Sequence, residues 1–121
     1  MKTILVVDDD RNLVLLYEQE LSEEGYQVIV TNNAKDAIDR VETSLPDLVV
    51  LDIRMPGMDG IEAMGRILGK NNQMPIILNT AYTSYKDNFM SWSADAYVVK
   101  SSDLTELKKE IRLALERRAK P

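Results

Sequence analysis

Short apolar runs alternate along the chain with longer stretches in which apolar residues recur at helical spacing. The runs are rich in Val and Ile and predict five strands, at 3–7, 27–31, 48–52, 75–79 and 96–99. Such runs are typical of strands buried on both faces of a parallel sheet. The second run has only Val28, Ile29 and Val30 as its apolar centre, which favours an edge strand. The pattern predicts the α/β class, with right-handed crossovers that place helices on both faces of the sheet.

Helix boundaries are marked by residues with capping preferences. Asp10 and Asn33 are suited to the N-caps of the first two helices, and Gly25 is suited to the end of the first. The stretch 83–93 predicts only a weak helix, because its large apolar residues form no clean stripe. We therefore expect five β-α units, of which the fourth helix is short or mobile.

The composition fits a compact domain and limits the kinds of reaction and metal site that the chain can form. The chain has 121 residues, 45% of them apolar, which is enough for one domain covering 1–121. It contains no Cys and no His. Disulfides, Cys nucleophiles, Ser-His-Asp triads, His-ligated metal sites and a phosphohistidine are thereby excluded. Proton or phosphoryl chemistry must use carboxylates, hydroxyls, lysines or a bound metal.

Charge and hydropathy bear on partners and location. The formal net charge of −5 argues against direct nucleic acid binding by this domain, since phosphate contacts need clustered Lys and Arg. The beginning of the chain does not resemble a signal peptide. No apolar stretch approaches the ~20 residues that span a membrane. We expect a cytoplasmic protein without membrane contact.

Four of the predicted strands end in residues suited to phosphoryl chemistry. These residues are the pair Asp8-Asp9 and the single residues Asp52, Thr80 and Lys100. Because ligands of open parallel sheets bind beyond the carboxyl ends of the strands, these side chains are expected to converge at one edge. Each has a plainer interpretation alone, as a turn or solvated residue. Only their joint position, at the same end of different strands, favours a site.

The predicted cluster suits a divalent cation. Three carboxylates outweigh one ammonium, and an oxygen-only site with few protein ligands suits Mg²⁺, with Mn²⁺ as a substitute. Asp52 is the candidate nucleophile, because a carboxylate can accept a phosphoryl group as an acyl phosphate. It stands alone before an open Pro/Gly loop, whereas Asp8 and Asp9 are better suited to hold metal. Asp10 is interpreted as an N-cap only.

Four segments carry a family resemblance: 4–10 (ILVVDDD), 51–60 (LDIRMPGMDG), Thr80-Ala81 and 97–100 (YVVK). With these segments the chain resembles, over nearly its whole length, the receiver domain of two-component response regulators. The resemblance implies a flavodoxin-like doubly wound sheet of five parallel strands in the order 2-1-3-4-5. The strand order is taken from the resemblance.

The resemblance also implies a reaction and its cofactor. Asp52 should accept a phosphoryl group from a histidine kinase or phosphotransfer protein, with Mg²⁺ required. Asp9, Asp52 and the backbone carbonyl of Arg54 should bind the metal directly, and Asp8 should help through water. Phosphorylation and dephosphorylation are then self-catalysed, without turnover of an independent substrate, so the word enzyme fits only loosely.

The resemblance also implies which residues respond to phosphorylation. Lys100 should contact the phosphoryl group, Thr80 should move toward it, and Tyr97 should turn inward as the switch aromatic. A population shift at the face formed by the fourth helix, fifth strand and fifth helix would then control an output domain or downstream target. A phosphorylation-dependent dimer is consistent with this scheme, and the sequence leaves the oligomeric state, the kinase and the output open.

The sequence departs from the family pattern near the site. Ser101 follows Lys100 where most relatives have a proline that often forms a cis bond, so we expect either a trans bond with a reshaped loop or a cis bond held by its surroundings. Tyr82 and Arg54 occupy variable positions beside the site. Our hypothesis is that they screen the acyl phosphate from water.

Two other classes of protein remain as alternatives. A phosphatase of the haloacid dehalogenase type also uses a strand-end Asp and Mg²⁺, but it needs a second acid where this chain has Arg54. A receiver-like interaction module that is not phosphorylated is the other. All the expected site residues are present, which favours the phosphorylated form.

Overall fold

The computed structural model describes residues 1–81 and 93–119. The elements in this part of the chain are β1 (Thr3–Val7), α1 (Arg11–Glu23), β2 (Gln27–Thr31), α2 (Ala34–Ser44), β3 (Leu48–Leu51), α3 (Gly60–Lys70), β4 (Ile76–Thr80), β5 (Ala96–Val99) and α4 (Thr105–Ala119). The weak helix predicted at 83–93 and the Tyr82 position lie outside the described residues, apart from residue 93. The last helix of the sequence prediction is therefore called α4 here.

The five strands form one parallel sheet in the order β2-β1-β3-β4-β5. The α/β class and the strand order implied by the resemblance are both confirmed. β2 lies at one edge, as its short apolar centre predicted. β3 ends at Leu51, so Asp52 is the first residue beyond the strand rather than its last.

Two apolar cores lie on the two faces of the sheet. One face packs against α2 and α3, through residues such as Leu51, Leu78 and Ile67. The other packs against α1 and α4, through residues such as Val50 and Ile111. Because both faces are covered, functional side chains can reach solvent from the sheet only at its edges and ends.

The first helix begins and ends as the sequence predicted. The Asp10 carboxylate accepts hydrogen bonds from the backbone N–H groups of Asn12 and Leu13. Gly25 follows the helix with φ +94°, and the N–H of Tyr26 donates to the carbonyl of Leu21, as in a Schellman motif. These caps fix α1 directly after the acidic segment. Within the described residues, no helix combines the length and the apolar character that crossing a membrane requires.

Candidate functional site

The candidate site lies beyond the carboxyl ends of β1, β3, β4 and β5. Backbone hydrogen bonds continue the sheet ladder past the strand ends: Asp52 N–H donates to the carbonyl of Val7, and Lys100 N–H donates to the carbonyl of Thr80. The backbones that carry Asp52 and Lys100 are therefore held at the rim of the sheet. The structure therefore brings residues at the ends of several strands to one edge of the sheet, as the sequence predicts.

Three carboxylates cluster at this rim. Asp8, Asp9 and Asp52 each have an oxygen within 4.8 Å of the others. Asp8 and Asp52 are buried, with 2% and 4% of their surface exposed, whereas Asp9 is exposed. Mg²⁺ prefers oxygen ligands and usually keeps several bound waters. Two buried carboxylates and one at the surface match this preference, because the third is open to water. The donor set therefore fits the cation that the sequence predicted.

Lys100 forms ion pairs with both buried carboxylates. Its Nζ lies 2.8 Å from an Asp8 oxygen and 3.0 Å from an Asp52 oxygen. Burial alone lowers the pKa of the Lys100 ammonium, but the hydrogen bonds to Asp8 and Asp52 outweigh burial and the net pKa lies above its ordinary value. Lys100 is thus a fixed positive charge beside Asp52 at physiological pH.

Asp8 has the opposite balance. Burial raises the pKa of its carboxyl group, and this outweighs the hydrogen bonds from Lys100 and from the backbone N–H of Asp10. Three carboxylates face one ammonium here, so the cluster lacks positive charge. A divalent cation would supply that charge.

Gly60, the first residue of α3, lies against the backbone of Asp52 and Ile53. The Gly60 N–H donates to the carbonyl of Ile53 at 2.8 Å. A Cβ at position 60 would lie 2.0 Å from the backbone oxygen of Asp52, so no side chain fits there. Asp59 caps α3 by accepting from the N–H of Glu62. Arg54 lies exposed in the loop after Asp52.

The predicted switch residues flank the same rim. Thr80 is fully buried at the end of β4. Tyr97 pairs with Leu78 across β5 and β4, is half-buried, and packs against the core beneath α2 and α3. The described residues contain no cis peptide bond, so the Lys100–Ser101 bond is trans and not cis. With a trans bond before Ser101, the Lys100 ammonium reaches both carboxylates.

One buried polar contact behind the site was not anticipated. Asn79 donates from Nδ2 to the Tyr17 hydroxyl at 2.9 Å, and both residues are almost fully buried. Helical periodicity makes Tyr17 one more apolar position of the first helix, and Asn79 is the last residue of the predicted strand 75–79. The sequence signal for this contact is Asn79 itself, because an amide side chain inside a buried apolar run needs a hydrogen-bond partner.

This doubly wound fold with an acidic cluster at its strand ends is that of a signalling receiver domain, and the comparisons with known proteins identify the family. A model of the response regulator receiver domain matches residues 4–112. The chain belongs to that family. It is 34% identical over 118 residues to the alkaline phosphatase synthesis transcriptional regulatory protein PhoP of Bacillus subtilis, covering 96% of this chain and 49% of PhoP. The chain thus spans about half the length of the curated relatives it matches.

Solved structures give the same family. The response regulator TrrA of Thermotoga maritima in complex with Mg²⁺-BeF has a TM-score of 0.91 and 45% identity, covering 94% of this chain and 99% of TrrA. TrrA in complex with the histidine kinase ThkA has a TM-score of 0.89 at 45% identity, covering 95% of this chain and 99% of the matched chain.

Proposed function

We propose that residues 1–121 form one receiver domain in which Asp52 accepts a phosphoryl group from a phosphohistidine. The observation that carries the proposal is the position of the Asp52 carboxylate, within the acidic cluster and 3.0 Å from the Lys100 ammonium. An Asp52 oxygen attacks phosphorus while the bond from phosphorus to the donor imidazole nitrogen breaks. The electron pair of that bond leaves with the imidazole.

The residues around Asp52 have separate roles in this proposal. Asp9, Asp52 and the carbonyl of Arg54 would hold Mg²⁺, with Asp8 acting through water. The bound cation would neutralise charge on the acids and the phosphoryl oxygens. Lys100 holds a further phosphoryl oxygen as a point charge. In this arrangement Lys100 exchanges part of its interaction with Asp8 and Asp52 for the incoming group.

The output of the reaction is a conformational shift. Thr80 moves toward the phosphoryl group and Tyr97 turns inward, which alters the face that includes β5, α4 and the segment between β4 and β5. The half-buried position of Tyr97 supports this role, because its ring can gain burial when it turns. Arg54 and Tyr82 limit access of water to the acyl phosphate.

The partners follow from the proposed chemistry. The donor is a histidine kinase or a phosphotransfer protein, in keeping with the TrrA–ThkA complex. The acceptor of the signal is an output domain or a downstream target, in keeping with PhoP, a transcriptional regulatory protein of about twice this length. We place the reaction in the cytoplasm, without direct nucleic acid or membrane contact by this domain, and include a phosphorylation-dependent dimer.

Intact mass after incubation with Mg²⁺ and acetyl phosphate tests the proposal. Wild-type protein is expected to gain the mass of one phosphoryl group, and Asp52→Asn is expected to gain none. Asp39→Asn is the matched control, since Asp39 is an exposed carboxylate on α2 and should leave the adduct intact. Removing Mg²⁺ with a chelator should abolish the wild-type adduct. Failure of the wild type to gain the group would favour the interaction module instead.

A further inference from the structure

The buried hydrogen bond between Tyr17 and Asn79 connects α1, the helix after the acidic residues, with β4, the strand that ends at Thr80. Tyr17 lies in the middle of α1, the helix that begins directly after the acidic segment. Asn79 lies in β4, immediately before Thr80, whose carbonyl accepts the backbone N–H of Lys100. The bond therefore joins the element next to the acids to the strand that carries the hydroxyl and supports the ammonium.

The contact is close to the charges of the site but separate from them. Tyr17 and Asn79 are 1% and 3% exposed, so neither side chain is available to solvent. Burial raises the pKa of the Tyr17 hydroxyl, while the hydrogen bond from Asn79 lowers it and the charges of Asp8, Lys100 and Asp52 also act on it. These two side chains thus form a buried polar contact within electrostatic reach of the site's charges.

Stability alone does not account for a polar pair at this position. A buried neutral hydrogen bond contributes little net stability compared with apolar side chains of the same shape. It does impose a single geometry, because leaving either partner unpaired in the core is costly. The neighbouring positions on this face of the sheet, including Ile77 in β4 and Val50 in β3, are apolar.

We propose that Tyr17 and Asn79 are a positioning pair for phosphoryl transfer, which holds the end of β4 against α1 and thereby sets where Thr80 and Lys100 lie relative to the acids. This inference rests on the proposed function. The proposed Mg²⁺ ligands are on the β1 and β3 side of the site, so loss of the pair is expected to slow transfer without weakening metal binding.

The test is a double-mutant cycle in the rate of phosphorylation by acetyl phosphate, with Tyr17→Phe, Asn79→Leu and the double variant at saturating Mg²⁺. Each single variant is expected to slow the rate about tenfold, since small misplacements of reacting groups have effects of this size. The double variant is expected to be no slower than the slower single variant, because both changes remove the same contact. Mg²⁺ affinity, measured by calorimetry, should not fall with the rate, because a displaced Lys100 competes less with the metal for the acids.

Thr31→Val is the matched control. Its hydroxyl is also buried but has no hydrogen-bond partner among the described residues, so its removal should leave the rate unchanged. All rates are taken well below each melting temperature, so that loss of stability alone does not change them. If Asn79→Leu fails to fold, Tyr17→Phe decides the question by itself.

Three results would overturn the inference. The first is a folded Tyr17→Phe variant that is phosphorylated at the wild-type rate, and the second is a double variant slowed by the product of the two single effects. The third is a Mg²⁺ affinity that falls in step with the phosphorylation rate. Each of them leaves the proposed function intact, because the wild type still gains the phosphoryl group on Asp52. A wild type that gains no group overturns both.

Discussion

Replacing Lys100 by methionine is expected to slow phosphorylation of Asp52 by about 100-fold, the usual effect of losing one group that stabilises transition-state charge. The same change should tighten Mg²⁺ binding about tenfold, because a positive charge beside the cation is removed. The Lys100 ammonium pairs with both buried carboxylates at 2.8 and 3.0 Å. Under the proposed function it would therefore compete with the metal before transfer and stabilise the phosphoryl group during transfer. Calorimetry and the rate of phosphorylation by acetyl phosphate measure the two effects.

The Lys100→Met variant should also lose stability in a pH-dependent manner. Breaking a buried ion pair by removing one partner typically costs about 3 kcal/mol, because the remaining charge is uncompensated. Without Lys100, the already raised pKa of Asp8 rises further in the folded state. A carboxyl group whose folded pKa is raised destabilises the protein above its unfolded pKa, and the penalty grows as the pH rises through the folded value. The loss should therefore be larger at neutral pH than in mild acid.

The control for this prediction is Lys109→Met, which removes an exposed lysine from α4. It should change neither the rate nor the Mg²⁺ affinity. The account of Lys100 would be wrong if Lys100→Met bound Mg²⁺ more weakly than wild type, or if it were phosphorylated at the wild-type rate.

Replacing Gly60 by alanine is expected to destabilise the fold by about 3 kcal/mol, at the upper end of overpacking effects. The new Cβ would lie 2.0 Å from the Asp52 oxygen and 2.8 Å from two further backbone atoms, and backbone cannot rotate away as a side chain can. Either α3 or the backbone of Asp52 must move. Chemical denaturation measures the loss, and the phosphorylation rate of the fraction that folds should fall as well, because the acceptor residue is displaced.

Gly65→Ala provides the matched control within the same helix. Its added Cβ meets no atom within 4 Å, so this variant should gain about 0.5–1 kcal/mol from the lower entropy of the unfolded chain. If Gly60→Ala were as stable as Gly65→Ala, the close approach between α3 and Asp52 would not exist in the molecule.

The positions of Asp8, Asp52, Thr80 and Lys100 were predictable because they depend on a property of the whole fold. Parallel strands end at one edge of the sheet, so residues that follow apolar runs must meet there. The caps at Asp10 and Asn33 were predictable for a local reason, since capping uses backbone groups within one helical turn.

Other features depend on distances between segments that no local pattern encodes. The approach of Gly60 to Asp52 is set by how α3 packs on the sheet. The Tyr17–Asn79 bond joins residues from separate β-α units, and periodicity cannot distinguish a tyrosine that packs from one that also accepts a hydrogen bond. Ser101 after Lys100 left both peptide isomers open, and the bond is trans, the form that a peptide bond before a residue other than proline intrinsically prefers.

Locating the phosphoryl group on the chain tests the central claim most directly. After incubation with Mg²⁺ and acetyl phosphate, borohydride reduction converts an aspartyl phosphate to homoserine, and peptide mass spectrometry identifies the residue. The proposed function predicts homoserine at position 52 alone. Homoserine at Asp8 or Asp9, or at no position, would contradict it.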